Sequence, residues 1–282
     1  MQKKLAIIGV GLIGGSMALK LRQKGWASYI YGVDHQPQNL EDALALRIID
    51  EAATLEHAVK NADFIIIAIP VDATQVCLRQ VLNLIEDHQT VMDTGSTKVG
   101  IINAVENHRN RARFVATHPM WGTENNGPQS AKVDAFSDKV AVICNPEDSA
   151  KDALNLVENL CHTLDMEVIT MDAENHDVHT AYISHISHIT SYALANTVLE
   201  KEREEETIFQ LASSGFSSTV RLAKSHPEMW VPIFKQNKEN VLDVLNEHIS
   251  QLRKFKAALE KDNDEFLEEL IRNANRIRDI LK

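Results

Sequence analysis

Six residues constrain this chain more than any others: Gly9-Val10-Gly11-Leu12-Ile13-Gly14. They follow a short apolar run at residues 5–8 and open a helical stretch over 16–23. The G-x-G-x-x-G spacing therefore sits inside a strand–turn–helix unit, the context that makes it a dinucleotide signature. Gly9 serves the tight turn, Gly11 admits a pyrophosphate close to the backbone, and Gly14 lets helix pack on strand. Leu12 and Ile13 complete the cofactor-binding loop, and the helix that follows offers free N–H groups and a positive dipole end to phosphate. The next strand ends in Val33-Asp34, where a carboxylate is placed to accept from ribose hydroxyls. Asp34 would repel a 2′-phosphate, and His35, Gln36, Pro37 and Gln38 bring no cation, so NAD is expected rather than NADP. Glycines in a bare βα turn and a strand-end Asp34 are the simpler alternatives.

Around this motif the first half alternates apolar runs with amphipathic stretches. The runs fall at 5–8, 29–33, 64–69, 90–92, 114–116, 140–144 and 167–169 and are rich in Val, Ile and Ala, as strands buried on both faces are. Nine of the eleven glycines precede residue 123, which concentrates tight turns there. Beyond about Met171 no run reads as a strand. Residues 181–199 and 230–246, and the series Leu252, Phe255, Leu259, Phe266, Leu270, Ala274, Ile277, Leu281, carry apolar residues at helical spacing. The expected fold is an α/β Rossmann-type dinucleotide-binding domain over 1–171, followed by an all-α helical domain over 172–282. The long stripes suit either burial within one subunit or a homodimer, and the charged run 200–206 suits a solvated helix end or loop.

Composition narrows the partners. With 29 Lys and Arg against 40 Asp and Glu, the net charge is −11 and no basic cluster offsets it, so nucleic acid is not expected. The longest apolar run falls far short of the ~20 residues that span a bilayer. Met1-Gln2-Lys3-Lys4 leads straight into a strand, leaving no room for a signal peptide, and three scattered cysteines (Cys77, Cys144, Cys161) fit a reducing cytoplasm.

Candidates for chemistry lie at later strand ends and on the helical domain. One cluster is Asp93-Thr94-Gly95-Ser96-Thr97-Lys98, and a second is Thr117-His118-Pro119-Met120-Trp121-Gly122-Thr123-Glu124. A third is Ser184-His185-Ile186-Ser187-His188, with Arg221 farther on. Each has a plainer reading: His118 as a packing residue, Ser96 as a helix cap, Arg221 as a surface ion-pair partner, Trp230 as core. His176, His179, His185 and His188 invite a metal, but no HExxH or cysteine ligand pattern accompanies them, so no metal is expected.

Residues 9–16 (GVGLIGGS), 93–98 (DTGSTK), 118–124 (HPMWGTE), 184–188 (SHISH) and 215–230 (GFSSTVRLAKSHPEMW) together resemble the prephenate dehydrogenase family. That family also includes arogenate and cyclohexadienyl dehydrogenases, and the resemblance runs over nearly the whole chain. The departures are Trp121, where many members carry a small residue, Ser217, where some carry lysine, and the lack of a recognisable mutase or regulatory segment. The resemblance implies oxidative decarboxylation of prephenate, or of arogenate, in tyrosine biosynthesis. It assigns His118 as the base, a role that suits imidazole near neutral pH. It also assigns Ser96 to hold the substrate hydroxyl, Arg221 to hold a substrate carboxylate bidentately, and His188, rather than His185, to make a further polar contact. Lys98, Thr123, Glu124 and Asp177 would support or gate the site, Thr123 and Glu124 among those binding substrate. The competing readings are a 3-hydroxy-acid dehydrogenase, with Lys224 as its lysine, and a non-catalytic NAD-binding regulator.

Overall fold

A computed structural model describes residues 2–205 and 207–280, with only the backbone of Glu204 and Glu205. Eight strands form one sheet: β1 Lys3–Ile8, β2 Ala27–Val33, β3 Glu51–Ala52, β4 Phe64–Ile67, β5 Thr90–Asp93, β6 Phe114–Pro119, β7 Val140–Cys144 and β8 Glu167–Met171. Their order is β3-β2-β1-β4-β5-β6-β7-β8, parallel throughout except where β6 meets β7. Each expected run is a strand, although the run at 64–69 leaves the sheet after Ile67. The two-residue β3 is too short to leave a pattern and was not expected.

Side chains alternate across the pleat, so β1 sends Leu5 and Ile7 into one core and Ala6 and Ile8 into the other. The helices covering the sheet are α1 Leu12–Gln23, α2 Pro37–Ala45, α3 Leu55–Asn61, α4 Val71–Leu84, α5 Val99–Asn103 and α6 Lys151–Thr163. The chain runs outward from β1 to β3 and returns to β4 on the other side of β1, so the order in which strands are added reverses between the parallel β1 and β4. Ligands of such sheets bind beyond the strands' carboxyl ends at this point.

From Ala173 the described chain is helical: α7 Ala173–Thr180, a π turn Ala181–His185, α8 Ile186–Glu205, α9 Ser214–Thr219, α10 Pro227–Gln236, α11 Lys238–Glu260 and α12 Asp264–Asn275. Asp172 caps α7, accepting the Asn175 N–H at 2.7 Å. Two expected helices differ in detail. Residues 181–199 open as a π turn and continue to Glu205, making most of the charged run a helix end. The stretch 230–246 is two helices, broken at Asn237. Met1, Glu206, Leu281 and Lys282 lie outside the described residues. The helical part lies over the sheet's carboxyl ends, where Trp230 and Ile233 join the core of β4 and α4 and Gln236 accepts a 2.7 Å bond from Thr97 Oγ1.

Candidate active site

The glycine turn lies at the switch point. Gly9 has φ +94°, and a Cβ there would overlap the Ala68 carbonyl just past β4. A Cβ on Gly14 would overlap the Gly9 carbonyl oxygen, so the start of α1 can approach β1 only without one. Gly11 differs: the nearest atom to its would-be Cβ is Gly127 N, 4.0 Å away. Nothing among the described residues fills that space, and Gly11, the N-cap of α1, offers no capping side chain to the Leu12 and Ile13 end of the helix. This is a cradle fitted to a pyrophosphate. The Asp34 side chain is 6% exposed. Its Oδ2 accepts the Val10 N–H at 3.2 Å and its Oδ1 accepts Gln36 N at 2.9 Å, fixing the carboxylate beside the loop.

Farther along the same edge, Asp93 and Lys98 form an ion pair with both side chains fully buried. A buried pair is tolerable only when its remaining hydrogen-bonding capacity is met. Here Asp93 also accepts the Gly95 and Thr117 N–H groups at 2.8 and 3.1 Å, and Lys98 Nζ donates to the Thr117 carbonyl at 2.6 Å. The network clamps the loop carrying Ser96 against β6. Ser96 itself is half-buried and does not cap α5. That end is held instead by Asp177, whose Oδ1 and Oδ2 accept Lys98 N at 2.8 Å and Val99 N at 3.1 Å.

His118, the next residue on β6, is 9% exposed. Its Nδ1 lies 2.8 Å from His176 Nε2, and His176 Nδ1 lies 2.8 Å from Asp177 Oδ1. His118 Nε2 has no protein partner among the described residues. Burial, with the neighbouring His176 and the Lys98 ammonium, pushes the His118 pKa well below the ordinary 6.5. The ring is therefore neutral, and able to accept a proton, at pH 7.

The π turn carries His185, 1% exposed, whose pKa burial pushes down to about 4. Asn237, 3% exposed, explains the break between α10 and α11: its Nδ2 donates to the Asp177 carbonyl at 2.6 Å and lies 3.2 Å from His185 Nδ1. Trp230 is more than core, since His188 stacks on its indole with centroids 3.4 Å apart. Burial lowers the His188 pKa, and the Arg221 charge adds to this. Arg221 is half-exposed and donates to Glu124 Oε2 at 2.9 Å. The Glu124 carboxyl is held below its usual range by its own backbone N–H and then by Arg221.

Of the expected residues, His118 sits in the Asp177–His176–Asn237–His185 network, and His188 reaches it through the Trp230 ring that His185 also meets. Arg221 and Glu124 form a pair of their own, and Ser96 lies on the clamped loop. Thr123 stands apart, its Oγ1 accepting only Asn125 N at 3.2 Å. Sequence reasoning missed Asn237 altogether, gave His176 no role once a metal was set aside, and named Asp177 only as a group that would support or gate the site. Among the described residues, no group of three or more His, Cys, Asp or Glu is arranged to hold a metal ion.

Comparison with known proteins identifies the family. Residues 17–170 match the family model described as "Prephenate dehydrogenase, nucleotide-binding domain", and residues 172–273 match "Prephenate dehydrogenase, dimerization domain". The chain is 31% identical to prephenate dehydrogenase of Bacillus subtilis (strain 168), over 99% of this chain and 76% of that one. It is 28% identical to cyclohexadienyl dehydrogenase of Zymomonas mobilis, over 99% and 96%. A crystal structure of prephenate dehydrogenase from A. aeolicus, in complex with hydroxyphenyl propionate and NAD+, superposes with TM-score 0.91 at 30% identity, covering 100% of this chain and 99% of that one. With both halves matched in order, this chain belongs to the prephenate dehydrogenase family of NAD-dependent oxidoreductases.

Proposed function

We propose that this enzyme oxidises and decarboxylates prephenate to 4-hydroxyphenylpyruvate in tyrosine biosynthesis. The observation that carries the reading is His118: a buried, neutral imidazole at the carboxyl end of β6 whose Nε2 has no partner among the described residues. The relatives named prephenate dehydrogenase support the choice of substrate.

Residues 1–171 hold the dinucleotide, through Gly9, Gly11, Leu12, Ile13, Gly14 and Asp34. Bound there, the dinucleotide would supply the hydride acceptor for oxidation of the ring carbon that bears the hydroxyl. His118 takes the hydroxyl proton at Nε2, and Ser96 Oγ holds that hydroxyl in line. Arg221 binds a substrate carboxylate with its planar guanidinium, which must outweigh the chain's −11 net charge for a dianionic substrate. His188, braced on Trp230, adds a polar contact from residues 172–282, while Thr123 and Glu124 form the rim. Carbon dioxide leaves as the ring becomes aromatic, so the step asks for no dedicated acid.

The helical part also dimerises in this reading. Leu252, Leu259, Ile271 and Ile277 are 56, 63, 48 and 52% exposed, and no residue of α12 is buried. A second copy would cover these side chains, and sedimentation at micromolar concentration tests it, a monomer overturning it. No helix among the described residues is long and apolar enough to cross a membrane, and cytoplasmic residence completes the proposal.

The deciding assay is NADH absorbance after mixing enzyme and NAD with prephenate, arogenate or a 3-hydroxy acid. Preference for prephenate in kcat/KM supports the reading. Preference for arogenate or the hydroxy acid reassigns the substrate, and silence with all three favours a non-catalytic NAD-binding regulator.

A further inference from the structure

His118 on its own does not dictate which ring nitrogen carries its proton. A neutral imidazole has one N–H and one lone pair, and only the form with the lone pair on Nε2 can take a proton from a substrate in the cleft. The hydrogen bonds behind the ring decide between the two forms, and they can be followed from their far end.

Asp177 is 3% exposed and receives three donors: Lys98 N and His176 Nδ1 on Oδ1, and Val99 N on Oδ2. A carboxylate with backbone N–H groups on both oxygens has only lone pairs to offer, so the hydrogen between it and His176 sits on His176 Nδ1. His176 is 1% exposed, and burial lowers its pKa even with Asp177 beside it, which keeps the ring neutral. Its Nε2 is then an acceptor. The 2.8 Å contact requires a donor on the other side, and that donor is His118 Nδ1–H. The lone pair of His118 is left on Nε2, the nitrogen without a partner among the described residues.

We infer that His176 and Asp177 are positioning residues which hold His118 in its base-competent tautomer through the chain Asp177–His176–His118. The inference rests on the reading of His118 as the base. Once His118 holds the substrate proton, the same chain places a carboxylate two groups behind the new imidazolium, as a third group does behind a general base elsewhere. Both positioning residues lie on α7 of the helical part, while His118 lies on β6 of the sheet. The sheet therefore carries the base, and the helical part sets its protonation. Asn237 fixes α7 at this junction through the Asp177 carbonyl, and Asp177 in turn ties α7 to the start of α5.

The test begins with the unaltered full-length enzyme with NAD bound, using 15N-labelled histidine and NMR. His118→Asn and His176→Gln spectra assign the two rings. Both are expected as the Nδ1–H tautomer at pH 7.5, and a His118 ring protonated on Nε2 overturns the inference whatever any variant does. Kinetics supplies the second arm. His176→Phe removes the acceptor and should lower kcat roughly 100-fold, with NAD affinity within twofold of the parent. His176→Gln, which restores an acceptor oxygen, should recover at least tenfold of that loss. Equal activity in the Phe and Gln variants, or kcat within threefold of the parent in His176→Phe while His118→Asn is inactive, removes the positioning role and leaves His118 as base. Full activity in His118→Asn removes the base assignment itself, and the tautomer measurement still decides the chain behind it.

Discussion

The glycine loop and the histidine cluster sit along the same edge of one sheet and are built in opposite ways. At residues 9–14 the work is done by missing side chains: Gly11 leaves space open, Gly9 and Gly14 let backbone meet backbone, and the helix end faces that space uncapped. At His118 the space is crowded with polar side chains drawn from β5, β6, α7, the π turn and the α10–α11 break, each satisfied by another. In the proposed function the first site would bind through backbone and geometry, and the second would react through titratable groups whose protonation depends on burial. Any change to a side chain should therefore fall unequally on binding and chemistry.

The largest effect is expected from His118→Asn. Removing the base should cut kcat by about 10⁴-fold, with the Kd for NAD, measured by calorimetry, within about twofold of the parent. Normal turnover would end the assignment of this residue and with it the contrast between the two sites.

Acid should attack the histidine cluster first. Burial sets the His185 pKa at about 4, against ~6.5 in the unfolded chain, so the unfolded state binds the extra proton between these values. The contribution is complete above pH 6.5 and is lost as pH falls toward 4, on the order of 3 kcal/mol from this residue alone. His118, His176 and His188 are pushed in the same direction. Urea unfolding at pH 7.5 and 5.0 measures it, and equal stability at the two values would show that these rings are not buried and neutral.

The same contrast explains what could be read before the fold was known. The loop is six contiguous residues, and its physics is local, so Gly9, Gly11, Gly14 and Asp34 could be assigned from spacing. The alternation of apolar runs revealed the sheet for the same reason. His118 meets His176 across a sequence separation of 58, and Lys98 N meets Asp177 across one of 79. No local period records such a pairing, so His176 looked like one of several histidines on a helix, and Asp177 could be named only as a group supporting or gating the site, without its partner. Asn237 was invisible because it interrupts a pattern that otherwise reads as one continuous helix. Trp230 read as core because a stacked histidine and a buried aliphatic neighbour leave the same apolar signature.

Two glycine substitutions separate space from strain at the loop. Gly11 has φ −72° and room for a methyl group, so Gly11→Ala should leave Tm nearly unchanged while weakening NAD roughly thirtyfold by occupying the phosphate cradle. Gly14→Ala drives a methyl group into the Gly9 carbonyl, so it should cost about 1–3 kcal/mol of stability as well as NAD affinity. Thermal melts and NAD titrations on the two variants test the distinction, and identical behaviour would sink it.

The smallest effect expected is at the rim, where Glu124 occupies the guanidinium assigned to the substrate carboxylate. The pair is solvent-facing, with side chains 51% and 26% exposed, and exposed ion pairs contribute about 0–1 kcal/mol. Displacing Glu124 thus costs the substrate a factor of about five at most, by the same range. Glu124→Gln should lower substrate KM by no more than that and leave kcat alone. Arg221→Ala should raise KM about tenfold, because it removes the attraction as well as the competitor. The ordering of the two variants is the informative result. A KM that rises in Glu124→Gln would mean the carboxylate helps to hold the arginine in place more than it competes for it.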